Sequence, residues 1–180
     1  HAAQHEGLFA TVTTLLEQAG LTIVNARIIT ASNGASLDSF LVLEENGDPL
    51  SIQREAEVLQ FLRTRIQAPQ TTTPLLVSRR TPRQIQHFSV PTEMHFSSDP
   101  HNQCTIMELV TTDYPGVLSR VSQAFENCGV LLREAKIATL GARAEDVFFI
   151  TDTQHHPLNN PQQFNQLRQA VQDRLAELAP

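Results

Sequence analysis

GLFATVTTLLEQAGLTIVNARIIT, residues 7–30, and GVLSRVSQAFENCGVLLREAKIAT, residues 116–139, are one passage written twice. Laid over each other without a gap, they place Gly7 on Gly116, Val12 on Val121, Glu17 on Glu126 and Gly20 on Gly129. Ala26 falls on Ala135, Ile28 on Ile137 and Thr30 on Thr139. A one-residue deletion then sets Asp38 on Asp146, Phe40 on Phe148 and Pro49-Leu50 on Pro157-Leu158. Glycines and apolar positions agree together, which marks an internal duplication.

Each copy has the same local grammar. Leu8, Val12, Leu15, Leu16 and Ala19 recur at helical spacing, as do Val117, Val121, Ala124, Phe125 and Cys128. Gly20 and Gly129 stand where a left-handed cap ends a helix without a Cβ penalty. LTIVNARIIT and VLLREAKIAT follow with β-branched residues in rough alternation, hence strands. Asn33-Gly34 and Gly141-Ala142 turn the chain into SLDSFLVLEE and EDVFFITDT, the second arms of hairpins. The Pro-containing loops at Asn46–Pro49 and His155–Pro157 lead to second helices at 51–67 and 161–178, each with an apolar stripe that packs on a sheet.

The unit is strand, helix, strand, strand, helix, strand, a ferredoxin-like plan. The fold class is α+β, with two tandem βαββαβ domains, 1–96 and 97–180. APQTTTPLLVSRRTPRQ reads as linker, with 68–83 assigned to the first domain, and IQHFSVPTEMHF alternates like a strand whose Pro91 suggests an edge or bulge. The first copy is expected to be truncated at its first strand, which would precede His1. The second copy is expected to lack its last strand, unless neighbouring segments fill these gaps.

Composition narrows the function classes. The chain has 180 residues, 41% of them hydrophobic, enough for a real core. Its net charge is −6, with 13 basic against 19 acidic residues, which argues against nucleic acid and membrane surfaces as partners. No apolar run of spanning length occurs, and no signal peptide is visible. Cys104 and Cys128 form neither a disulfide framework nor a metal-ligand spacing, so a cytoplasmic home is expected.

DYPG, residues 113–116, joins a strand to a helix. Pro115 suits a first helical turn, where its missing N–H is no loss, and Gly116 allows close approach to the backbone. The N–H groups of Gly116, Val117 and Leu118 then face a positive dipole end that attracts a carboxylate. Asp113 adds an anion beside it. A donor patch next to a carboxylate suits a zwitterion, and a free amino acid is the obvious candidate. The same four residues are equally good punctuation for any strand-to-helix junction, so the motif alone does not carry a ligand.

Two such turns in two βαββαβ copies resemble tandem ACT domains, modules that often bind amino acids and regulate enzymes. The longer string goes further. GLFATVTTLLEQAGLTIVNARIITASNGASLDSFLVLE, RQIQHFSVPTEMHF, MELVTTDYPGVL and REAKIATLGARAEDVFFIT closely resemble the C-terminal regulatory region of the bifunctional uridylyltransferase/uridylyl-removing enzymes that act on the nitrogen-regulatory PII protein.

The resemblance implies a glutamine sensor without catalysis of its own. Upstream catalytic domains, using Mg2+, would attach UMP to PII at low glutamine and remove it at high glutamine. Its implied partners are glutamine, those catalytic domains, PII and a second copy of the chain. It also implies two ligand sites between paired domains. One joins Asp113, Gly116, Val117 and Leu118 to Thr22. The reciprocal one joins Gln4, Gly7, Leu8 and Phe9 to Leu131. Copy 1 has lost the proline and carries Gln4 for the acid, and Leu131 replaces a polar side chain, so the Asp113 site is expected to be the stronger. Alternative functions are a PII-binding or self-association module without ligand sensing, and the ACT region of an amino-acid biosynthetic enzyme.

The remaining constellations have plain readings. His155-His156 has no third metal ligand near in sequence, so a solvated loop is preferred to a metal site. His87 and His95 flank a strand. No Gly-rich phosphate loop or nucleophile elbow occurs, so catalytic residues are expected to be none. Asp38 and Asp146 recur at matched places, where binding to backbone or solvent at a hairpin is preferred to lining a pocket. Arg79, Arg80 and Arg83 form a basic run in the linker, read as solvated.

Overall fold

A computed structural model describes residues 2–3, 8–30, 35–67, 90–140 and 142–178 of the chain. The linker 68–83, the arginines at 79, 80 and 83, His87, Asn33-Gly34 and Gly141 lie outside the described residues. Copy 1 contributes β1 (Ala2–Ala3), α1 (Leu8–Gln18), β2 (Leu21–Thr30), β3 (Ala35–Glu44) and α2 (Ile52–Gln67). There follow β4 (Glu93–Asp99), β5 (Cys104–Thr112), α3 (Val117–Asn127), β6 (Val130–Lys136), β7 (Thr139–Leu140), β8 (Arg143–Asp152) and α4 (Pro161–Ala176).

One sheet runs through both copies in the order β1-β3-β2-β6-β8-β5-β4, with β7 added on β8. Its register repeats the duplication. Ala2 pairs with Ser36 and Ala3 with Ala35, the same places in copy 1 as Thr111–Ala144 and Thr112–Arg143 in copy 2. The copies meet where β2 pairs antiparallel with β6, at Arg27 opposite Lys136. These two residues hold the same place in the repeat, so a pseudo-two-fold axis passes between them.

The structure refines both expectations about missing strands. The first strand of copy 1 is present as a two-residue stub, Ala2–Ala3, rather than lying wholly before His1. In copy 2 the fourth-strand position beside β5 is taken by β4, which pairs along its whole length from Glu93–Val110 to Asp99–Cys104. A neighbouring segment therefore fills that gap. Pro91 precedes this edge strand, where its missing N–H costs no ladder bond.

The helices cover one face of the sheet. Ala26 and Ile28 of β2, Met107 and Leu109 of β5, Ala135 of β6, and Phe148 and Ile150 of β8 share one core with Val12 and Leu16 of α1 and with Val121 and Phe125 of α3. The alternate residues of the same strands, such as Glu108, Val110 and Val147, are exposed or half-buried. Phe148 is fully buried and meets Phe125 edge to face at 5.4 Å. Gly20 and Gly129 have φ of 84° and 62° and end α1 and α3 as caps.

α1 and α3 also pack on each other across the junction, which buries polar residues that the apolar stripe did not mark. Thr13 donates to the Phe9 carbonyl at 2.9 Å, and Ser122 to the Leu118 carbonyl at 2.7 Å, so both hydroxyls stay satisfied. Arg54 of α2 donates to the Ala19 carbonyl at the end of α1 and to Glu44 at 3.3 Å. A cation at a helix C-terminus complements the dipole there. Arg54→Ala is expected to lower stability by about 1–2 kcal/mol, read by urea unfolding. A change under about 0.3 kcal/mol would show the clasp to be idle.

Candidate functional site

At the junction of the copies lies a partly open cavity of about 170 Å³. From copy 1 it takes Glu17 of α1, Leu21, Thr22 and Ile23 at the start of β2, and Glu45. From copy 2 it takes Asp113, Tyr114 and Pro115, then Val117 and Leu118 of α3, with Ile137, Thr139, Ala144 and Asp146 behind them. Of the residues that the resemblance assigned to one site, Asp113, Val117, Leu118 and Thr22 line this cavity, and Gly116 is not among its lining residues.

The loop is built as its sequence suggests. Asp113 N–H donates to the Ala142 carbonyl at 3.0 Å, which pins the loop to the β7–β8 turn. Gly116 has φ of 96°, a left-handed N-cap that a residue with a Cβ rarely adopts. A Cβ there would meet the Leu178 side chain at 3.5 Å and Ser119 Oγ at 3.8 Å, both ordinary contacts. Strain at this position comes from the backbone, not from lack of room.

The helix end is not bare. Gly116 N–H donates to Oε1 of Glu17 at 3.1 Å, and Val117 N–H donates to the Tyr114 carbonyl at 3.2 Å. Two of the three N–H groups assigned to a ligand therefore have partners within the chain. Glu17 is 8% exposed, so a carboxylate from copy 1 is buried on the helix N-terminus of copy 2. Sequence reading paired Glu17 with Glu126 in the repeat and gave it no role. Its partner lies 99 residues away and is reached only through the packing of α1 on α3.

Asp146 was expected to serve backbone or solvent. It does bind backbone, for Oδ1 accepts from Ala138 N–H at 3.3 Å. It also lines the cavity, and the residue is 2% exposed. Burial pushes its carboxyl up to about 7, helped by the charge of Asp113. Burial alone pushes Asp113 up to about 6. Both folded values lie above the ordinary 3.8. The fold therefore favours the neutral acids, and this contribution is complete below about pH 4 and lost as pH rises through 6 and 7. Thermal melts are expected to show stability falling from about pH 4 to about pH 7 through this pair, with a smaller slope in Asp146→Asn. A slope unchanged by that substitution would contradict the assignment.

On the reciprocal side, Gln4 and Gly7 lie outside the described residues. Leu8 opens α1 and is half-buried, Phe9 belongs to the core, and Leu131 pairs with Thr151 on β8. Asp38 is half-buried on β3, and Glu126, the counterpart of Glu17, is exposed. The duplicated acids thus differ sharply in environment.

Among the described residues no three His, Cys, Asp or Glu side chains converge as metal ligands. Asp152 Oδ1 accepts the N–H groups of Gln154 and His156 at 2.8 Å and so orders the two-histidine loop. Among the described residues no helix is long and apolar enough to cross a membrane.

Comparison with known proteins gives a consistent set of relatives. The chain is 46% identical over 153 residues to a bifunctional uridylyltransferase/uridylyl-removing enzyme of Methylococcus capsulatus, a match covering 84% of the chain and 17% of the relative. It is 36% identical over 178 residues to the enzyme so named in Pseudomonas savastanoi, covering 98% and 20%. With that of Stutzerimonas stutzeri it shares 37% over 173 residues, covering 95% and 19%. The chain therefore spans about a fifth of the length of the curated relatives it matches. No family model matches it. No solved structure matches it either.

Proposed function

We propose that this chain, a homologue over most of its length of a segment of bifunctional uridylyltransferase/uridylyl-removing enzymes, is the non-catalytic amino-acid sensor of such an enzyme. Its ligand is glutamine, held in the junction cavity. Through it, uridylylation of the PII protein in the cytoplasm is favoured at low glutamine and removal of UMP at high glutamine. The partners on this reading are glutamine, the Mg2+-using catalytic domains, PII and, through the open sheet edge, a second copy of the chain. The two copies are a tandem pair of ACT domains.

The observation that carries the reading is the bond from Gly116 N–H to Glu17 Oε1. It sets a carboxylate from the cavity wall on a helix N-terminus, where an amino acid's own carboxylate would go. Entry of the ligand then replaces Glu17. Since Glu17 belongs to α1 and Gly116 caps α3, the exchange breaks a link between the copies. Binding is thereby coupled to their arrangement, and a ligand shifts an equilibrium by its differential affinity for the two states.

Hydrogen exchange with and without glutamine tests this directly. Altered protection is expected at residues 114–118 and in the last turn of α1, at opposite sides of the junction. Unchanged exchange at both, with glutamine saturating, would contradict the reading.

A further inference from the structure

The cavity has an uneven charge. Glu17, Glu45, Asp113 and Asp146 line it, and the described lining residues include no Lys, Arg or His. Tyr114 is the remaining titratable group facing it. Such a wall repels a second anion and attracts a cation. The helix N-terminus offers one anion position, and Glu17 already fills it.

Asp146 sits deepest in this set. Its Oδ1 has the Ala138 N–H, while its Oδ2 is sealed from solvent and accepts no hydrogen bond among the described residues. A buried carboxylate oxygen left without a donor is costly, more so than a neutral group. Structure alone does not require an acid here, because an asparagine would keep the bond from Ala138. Asp113 stands nearby on the pinned loop, close enough for its charge to act on Asp146. The counterpart acid of copy 1, Asp38, is half-buried rather than sealed.

We propose that Asp146, acting with Asp113, selects the ligand by its protonated amine. The ammonium group supplies the donor that Oδ2 lacks and the positive charge that the two carboxylates need. This inference rests on the junction cavity being the amino-acid site, and adds which end of the ligand is read and by which residue. Charge selection at Asp146 also gives binding a proton signature. Burial holds both acids near neutrality, so an arriving cation ionises them and releases protons at about pH 6–7.

The test is titration calorimetry with glutamine and with its des-amino analogue, which keeps the amide and carboxylate and lacks the amine. Wild-type protein is expected to bind glutamine, and to bind the analogue at least about tenfold more weakly, as loss of a charge-assisted bond implies. At about pH 6.5, between the two acids, its heat is expected to differ between buffers of low and high ionisation enthalpy, which reports proton release. Asp146→Asn is expected to lose about tenfold or more for glutamine, to lose discrimination against the analogue, and to lose most of the buffer dependence. Its thermal melt is expected to match or exceed wild type, since a buried charge is removed.

Failure of the inference and failure of the underlying reading look different. Glutamine bound equally by wild type and Asp146→Asn, or the analogue bound as tightly as glutamine, overturns the role of Asp146 and leaves the cavity as the site. Wild-type protein that binds neither compound overturns both.

Discussion

Replacing Gly116 by aspartate is expected to weaken glutamine binding by about a hundredfold or more, the equivalent of roughly 2.8 kcal/mol. Two causes combine. The residue sits at φ of 96°, where a Cβ costs about 1–2 kcal/mol and the loop is driven to relax. The new side chain would set out toward Leu178 and Ser119, and its carboxylate would add a negative charge close to the helix end where Glu17 already binds. Steric exclusion is not part of the expectation, because a Cβ at Gly116 meets Leu178 at 3.5 Å and Ser119 Oγ at 3.8 Å, both ordinary contacts. Gly116→Ala separates the causes, carrying the strain without the charge. It is expected to lose similar thermal stability and less than about tenfold in affinity. Wild-type affinity in Gly116→Asp would remove α3 from the ligand site.

The opposite sign is expected for Glu17. Cutting it to alanine frees Gly116 N–H and removes a built-in competitor for the ligand carboxylate. A hydrogen bond to a charged group contributes about 1.5–3 kcal/mol, so glutamine affinity is expected to rise by about ten- to a hundredfold. The same change removes a tie between α1 and α3, and the melting temperature of the free protein is expected to fall. Glu17→Gln, a weaker acceptor of similar shape, is expected to lie between. This pairing of tighter binding with lower stability is the signature of an internal occupant. Weaker binding in both variants would mean that Glu17 holds the ligand instead of standing in for it.

The duplication was legible because glycines, apolar spacing and hairpin positions recur together, and the register of β1 on β3 repeats that of β5 on β8. The pairing of Asp113 with Thr22 came from the resemblance to paired ACT domains rather than from the repeat, and both residues line the junction cavity. Glu17 and Asp146 were legible only as repeats. Their roles come from burial, which a local pattern does not encode. Glu126 has the same spacing as Glu17 and is exposed, and Asp38 has the same spacing as Asp146 and is only half-buried. Which copy β4 completes was left open by the sequence for a different cause. The plan of the repeat allows it to either copy. The tight turn of His101 and Asn102 on Asp99, at 3.0 and 3.1 Å, folds it back on β5 as a hairpin.

On the proposed reading one amino acid, glutamine, binds in the cavity between the copies. Titration calorimetry of the wild-type chain with glutamine, with glutamate and serine as controls, decides it. Saturable heat for glutamine, with about one site per chain and at least about tenfold weaker heat for both controls, is the predicted result. No heat with glutamine, or equal affinity for all three, would contradict it.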